Sequence, residues 1–168
     1  MPRVTVRPAS PPDAAAVRAI YAPIVQDTAI SFELVVPTVE EMAERIRRPR
    51  RRGRGLLRRA PRRWSVETSV YVDGEARRLG VGRLLYARLI ELLRDHGFVN
   101  AFAGIALPNQ ASVTFHERFG YRQVGVFPAA GYKLGRWHDV GWWHRGLNEP
   151  VLDPAVPRGG TADRPPTA

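Results

Sequence analysis

An α/β fold, a single mixed sheet covered by helices, is predicted by three features of the chain. Its hydrophobic periodicity switches between 2 and 3.6 residues several times along the sequence. The helical stretches open on capping residues or a glycine turn. A length of 168 residues with 44% hydrophobic content is enough for one cored domain and too little to suggest two.

Val4 to Arg7 alternates as a strand, and Ser10-Pro11-Pro12-Asp13 opens a helix that carries Ala16, Ile20 and Ile24 on one face. Thr38 with Glu41 forms a capping box for a second helix, TVEEMAERIRR, ending near Pro49. From Trp64 to Asp73 the chain alternates again. Trp64, Val66, Thr68, Val70 and Val72 fall on one side, and Ser65, Glu67, Ser69, Tyr71 and Asp73 on the other. A third helix places Val81, Leu85, Leu89 and Leu92 on one stripe and stops at Gly97. Ala101 to Leu107 is a short apolar strand. Asn109 caps a fourth helix, with Ala111, Phe115 and Phe119 on its apolar face and Gly120 at its end, and two final strands surround a loop from Gly131 to Asp139.

Between the alternating strand and the third helix lies Arg77-Arg78-Leu79-Gly80-Val81-Gly82-Arg83. Glycines there let backbone N–H groups approach an anion at the positive end of the helix dipole, and a diphosphate would fit. There is no Gly-Lys-Ser/Thr, which argues against a nucleoside triphosphatase loop, and no full G-x-G-x-x-G followed by an acidic residue, which weakens a dinucleotide reading. What remains is R-x-x-G-x-G. Elsewhere, zero cysteines exclude a disulfide scaffold, thiolate metal sites and a cysteine nucleophile, and no metal-binding triad stands out. No apolar run approaches a membrane span, so a cytoplasmic protein is expected. Residues 1–149 read as one domain, and 150–168, with five prolines, as a disordered tail.

The R-x-x-G-x-G pattern resembles the pyrophosphate loop of the GNAT family of acetyl-CoA-dependent N-acetyltransferases. Three longer runs are similar to the phosphinothricin N-acetyltransferase branch of that family: WSVETSVYV, the stretch from Leu107 to Tyr121, and AGYKLGRWHDVGWW from Ala130 to Trp143. The resemblance implies a GNAT-like acyl-CoA N-acyltransferase fold and acetyl transfer to the amine of a small amino acid or analogue of the phosphinothricin or methionine sulfoximine type. An amine must lose its proton before it attacks a thioester, so a general base is wanted. Glu67, on the polar strand face, is the candidate, and the family's catalytic glutamate matches it; a family active-site histidine matches His116. For acetyl-CoA the resemblance points to Val70, Tyr71 and Val72, to Arg77, Arg78, Gly80, Val81, Gly82 and Arg83, and to Asn109 and Ser112. Tyr86 would approach the cofactor thiol, although packing is the simpler account of it. Phe32, Ser69 and Tyr71 are the substrate candidates. His138 and Asp139 suggest a catalytic pair or, equally, a turn entering the last strand.

A net charge of +10 would ordinarily raise nucleic acid as a partner. Here it resides in one block, RRPRRRGRGLLRRAPRR at 47–63, with ten arginines, no acid and no aromatic to stack on a base. Nucleic acid is therefore not the expected partner. In the resembled family this region carries a β-hairpin, two strands of the central sheet, which here are missing or replaced. Two readings stay open: a solvated basic loop, or a local frameshift with a deletion, restored before Trp64. A single lysine against 25 arginines fits a GC-rich gene. The expected partners are acetyl-CoA and a small-molecule amine, with homodimer formation as a further expectation and no membrane. Alternative functions are an acetyl-CoA-binding remnant impaired in turnover and, less favoured, a basic nucleic-acid-binding adaptor.

Overall fold

The computed structural model describes residues 4–47 and 63–158. Most of the arginine block, residues 48–62, lies outside them, and so do the strands expected to be missing or replaced there and residues 159–168 of the tail.

Four helices and four strands follow in the order α1 (Ala14–Asp27), α2 (Val39–Arg47), β1 (Ser65–Glu67), α3 (Val81–Asp95), β2 (Asn100–Ala106), α4 (Gln110–Arg118), β3 (Arg122–Lys133) and β4 (Arg136–Gly146). The sheet runs β1-β2-β4-β3; β1 and β2 are parallel and the other pairs antiparallel. A parallel pair needs a covering crossover, and α3 supplies it. The core joins Tyr86, Ile90 and Leu93 of α3 to Ala101, Ala103 and Ile105 of β2, with Tyr121, Trp143 and Leu147.

Local chemistry explains the helix starts. A 3-10 turn, Pro11–Asp13, precedes α1, and Ser10 with Asp13 forms its capping box. At α2, Glu41 N–H donates to Thr38 Oγ1 and Thr38 N–H to Glu41 Oε2, the reciprocal arrangement of a capping box.

Several expectations need correction. Val4 to Arg7 pairs with no strand among the described residues; Val4 is exposed and Arg7 instead makes a bidentate pair with Asp13. Of the alternating segment, only Ser65–Glu67 joins the ladder, because the chain leaves β2 after Thr68. The inward face of α3 is centred on Tyr86, Ile90 and Leu93; of the expected stripe Leu89 packs beside them, but Leu85 is exposed. On α4, Phe115 and Phe119 pack against the core as expected, but Ala111 is exposed and His116 is the buried residue. The loop expected from Gly131 to Asp139 is a tight turn at Leu134 and Gly135, both at positive φ as a type I′ hairpin turn requires. Within the expected tail, Ala155 accepts from Trp64 Nε1, Arg158 N–H donates to the His96 carbonyl, and Pro157 is buried.

Candidate active site

The parting of β1 from β2 sets the site. Thr68 N–H still donates to Phe102 at 2.8 Å, but β2 continues to Ala106 without β1 beside it. Among the described residues, the backbone N–H groups of Ser69 to Val72 make no hydrogen bond. A segment whose backbone N–H groups are unbonded beside a gap can receive the amides of an extended ligand.

At the far end of this segment the chain turns into α3. Arg78 and Gly80 both have positive φ, 64° and 81°, a conformation that is natural only for the glycine. This curl delivers the free first N–H groups of α3, at Val81, Gly82 and Arg83, to one point. Gly82 packs close to Val72 Cγ2 and the Phe115 ring, so it also seals the α3–α4 contact. Arg77, Arg78 and Arg83 are exposed around the same turn. Across the gap, Asn109 Oδ1 accepts from Ser112 N–H at 3.1 Å and caps α4.

Glu67 ends β1 on its polar face, and desolvation raises its carboxyl above the usual glutamate range. His116 is 4% exposed and ringed by Tyr86, Phe115 and Tyr121. Its Nδ1 lies 2.8 Å from the Ser112 carbonyl, which can only accept, so the proton belongs on Nδ1. That leaves Nε2 a lone-pair acceptor, buried and without a partner among the described residues. Burial lowers the imidazole pKa and keeps it neutral.

Tyr86 proves to be a core residue. It is 1% exposed, and its hydroxyl is 2.7 Å from Thr68 Oγ1 and 3.3 Å from Tyr121 OH, with Thr68 also bonded to Tyr121 and to the Phe102 carbonyl. Desolvation raises that phenol far above its ordinary pKa. A hydroxyl committed to this triangle is not presented to a cofactor thiol. His138 and Asp139 are likewise no catalytic pair: His138 Nε2 meets the Lys133 carbonyl at 3.1 Å, while Asp139 Oδ1 accepts from Ala129 N–H.

The substrate candidates separate into two places. Ser69 and Tyr71 line a cavity of about 420 Å³ together with Tyr21, Met42 and Arg45. Burial pushes the Tyr71 phenol up to about 12, and its ring meets Tyr21 edge-on. Phe32 instead lies over Gly131, where a Cβ would fall 2.2 Å from its ring, and near His138. A second cavity, of about 310 Å³, opens between Thr28, Asn109 and Arg136.

Two supports of these walls were missed in the sequence. Arg45 holds Glu33 through two hydrogen bonds, 2.9 and 3.0 Å. Lys133 Nζ donates to the carbonyls of Val25, Ser31 and Glu33 at 2.6, 2.5 and 2.9 Å. A lone lysine among arginines was the available signal for the second.

With this geometry in view, the comparisons with known proteins are consistent from end to end. Residues 6–142 match the acetyltransferase (GNAT) domain, and the chain belongs to the GNAT acetyltransferase family. It is 35% identical to a phosphinothricin N-acetyltransferase of Streptomyces viridochromogenes, over 88% of this chain and 90% of that one. A phosphinothricin N-acetyltransferase of Streptomyces coelicolor is 49% identical over 49% of this chain and 48% of its own length. Among solved structures, yncA from Salmonella typhimurium with its cofactor acetyl-CoA superposes with a TM-score of 0.81 at 28% identity, covering 92% of this chain and 99% of that one. A GNAT phosphinothricin acetyltransferase from Sinorhizobium meliloti, in complex with acetyl-CoA, gives 0.79 at 26% identity, over 89% and 94%. No described helix is long and apolar enough to cross a membrane.

Proposed function

We propose that the chain moves the acetyl group of acetyl-CoA to the amine of a small amino acid or analogue of the phosphinothricin or methionine sulfoximine type. The observation that carries this reading is the parting of the chain from β2 beside the Gly80 turn: backbone N–H groups from Ser69 to Val72, unbonded among the described residues, lead to a helix N-terminus ringed by arginines. The strand amides suit a pantetheine arm, with Asn109 across the gap. Val81, Gly82 and Arg83 suit the diphosphate, with Arg77 and Arg78 beside it.

Acetyl-CoA held there would supply the thioester: the amine nitrogen would bond to its carbonyl carbon as the C–S bond breaks and CoA leaves as the thiolate. Glu67 takes the proton that the amine sheds, a role its raised pKa suits. His116, neutral and donating Nδ1–H to the Ser112 carbonyl, keeps its Nε2 lone pair without a partner among the described residues, open to accept a hydrogen bond. Nothing calls for a covalent enzyme intermediate, so direct transfer is the expected course. Ser69 and Tyr71, which line the larger cavity, and Phe32, which lies over Gly131, are the side chains assigned to the acceptor.

Exposed Val124, Val126, Phe127 and Tyr132 on the edge strand β3 support pairing of two copies, which sedimentation would measure. The activity itself is tested by acetyl-CoA thermal shift followed by thiol release across an amine panel. Stabilisation and release with an amino-acid acceptor are expected. Stabilisation without release for any amine would leave a cofactor-binding chain only.

A further inference from the structure

We propose that Arg136 reads an anionic group of the acceptor, in the cavity of about 310 Å³ between the end of α1, the Leu107–Asn109 stretch and the β3–β4 turn. This rests on the acetyl-transfer reading and assigns the residue that recognises the acceptor's acid.

Each of the two cavities contains an arginine, and their states differ. In the larger, Arg45 is already neutralised by the Glu33 carboxylate. In the smaller, the exposed Arg136 side chain has neither an ion pair nor a hydrogen bond among the described residues. An unpaired guanidinium at a concave surface is matched by a planar carboxylate or a phosphinate, either of which it grips through two N–H groups.

The surrounding wall is built to hold such a group still. Lys133 stands opposite Arg136 across the hairpin turn, and its ammonium fastens the segment after α1 through three carbonyls. Phe32, from that segment, lies on the bare backbone of Gly131. Thr28, Ala29 and Ile30 of the cavity are thereby fixed to the same hairpin that carries Arg136. Asn109, beside the gap assigned to the cofactor, lines the cavity as well, so it borders the site of transfer.

Asp27 also lines it, from the last residue of α1, and makes no ion pair among the described residues. A free dianion would meet this carboxylate unfavourably. The acceptor class that follows is a zwitterionic amino acid rather than a neutral amine.

The test compares L-methionine sulfone with its carboxamide, which differs only in lacking the carboxylate charge, as ligands of the full chain saturated with CoA. Calorimetry on the parent and on Arg136→Gln gives affinities independent of turnover. The parent is expected to prefer the acid. In Arg136→Gln, binding of the acid is expected to weaken about 10-fold, the exposed position keeping the effect at the low end for a charged hydrogen bond. The carboxamide should change less than about twofold, as for an ordinary surface substitution. Acetyl-CoA affinity serves as the folding control and should stay constant. Equal losses for both ligands, unchanged binding of the acid, or a parent that binds neither would overturn the proposal. If the acid binds through Arg136 but is never acetylated, the inference stands and the transfer reading falls.

Discussion

The Nζ of Lys133 donates to the carbonyl oxygen of Ser31 at 2.5 Å, tying the β3–β4 hairpin to the segment that follows α1. The same ammonium also serves the carbonyls of Val25 and Glu33. Lys133→Met would leave these three acceptors without their donor. Removing a donor from buried acceptors typically costs about 1–3 kcal/mol. A fall in melting temperature of about 2–12 °C is expected for this variant. An unchanged melting temperature would mean that the contacts are incidental.

Glu67→Gln tests the base. Only proton transfer is removed, so kcat should drop about 10²–10⁴-fold while acetyl-CoA affinity holds. The parent works with Glu67 deprotonated, and its rate should decline as pH falls through the raised pKa of that carboxyl. Stopped-flow pH profiles should lose this limb in the variant. Retention of the limb would assign the proton to another group.

Gly80 separates charge from conformation. Asn and Asp both tolerate positive φ better than most residues, so Gly80→Asn and Gly80→Asp impose similar backbone strain at φ 81°. Only the aspartate sets a negative charge against a diphosphate. Acetyl-CoA should bind the aspartate variant markedly more weakly than the asparagine variant; equal affinities would remove the anion from this turn.

His116 gives the fold a pH dependence. Its folded pKa lies below the ordinary value of 6.5 because of burial, so the unfolded chain takes up the proton first. The contribution of neutral His116 is fully present above pH 6.5 and is lost as pH falls from there through the folded pKa. Denaturant titrations should show this decline in the parent, and His116→Gln should flatten it.

Tyr86→Phe breaks the hydroxyl triangle and leaves the ring in place. A stability loss of about 1–2 kcal/mol is expected, with acetyl-CoA affinity unchanged. A selective loss of turnover at constant stability would restore Tyr86 to the catalytic machinery.

The order of the elements was readable because α-helical and strand periods leave distinct apolar patterns, and because Thr38, Glu41 and Asn109 cap as such residues do. The inward face of α3 was misread for a reason of chemistry. Leucines dominate its sequence, but Tyr86 sits deepest because its hydroxyl finds Thr68 and Tyr121, two partners distant in sequence. His116 was placed in the site by resemblance, while its burial depends on rings from α3 and the start of β3. The Lys133 strut and the cavity at Arg136 join segments about a hundred residues apart, and periodicity carries no information on such pairs.

The sequence holds a single lysine, and the fold commits all three of its amine protons to carbonyl oxygens. Arginine, which supplies every other basic side chain apart from histidine, stays protonated at ordinary pH and is no nucleophile toward a thioester. A catalyst of amine acetylation thus offers its own cofactor no side-chain amine to modify. Its side chains are shielded from self-acetylation by the near-absence of lysine and, at Lys133, by hydrogen bonding.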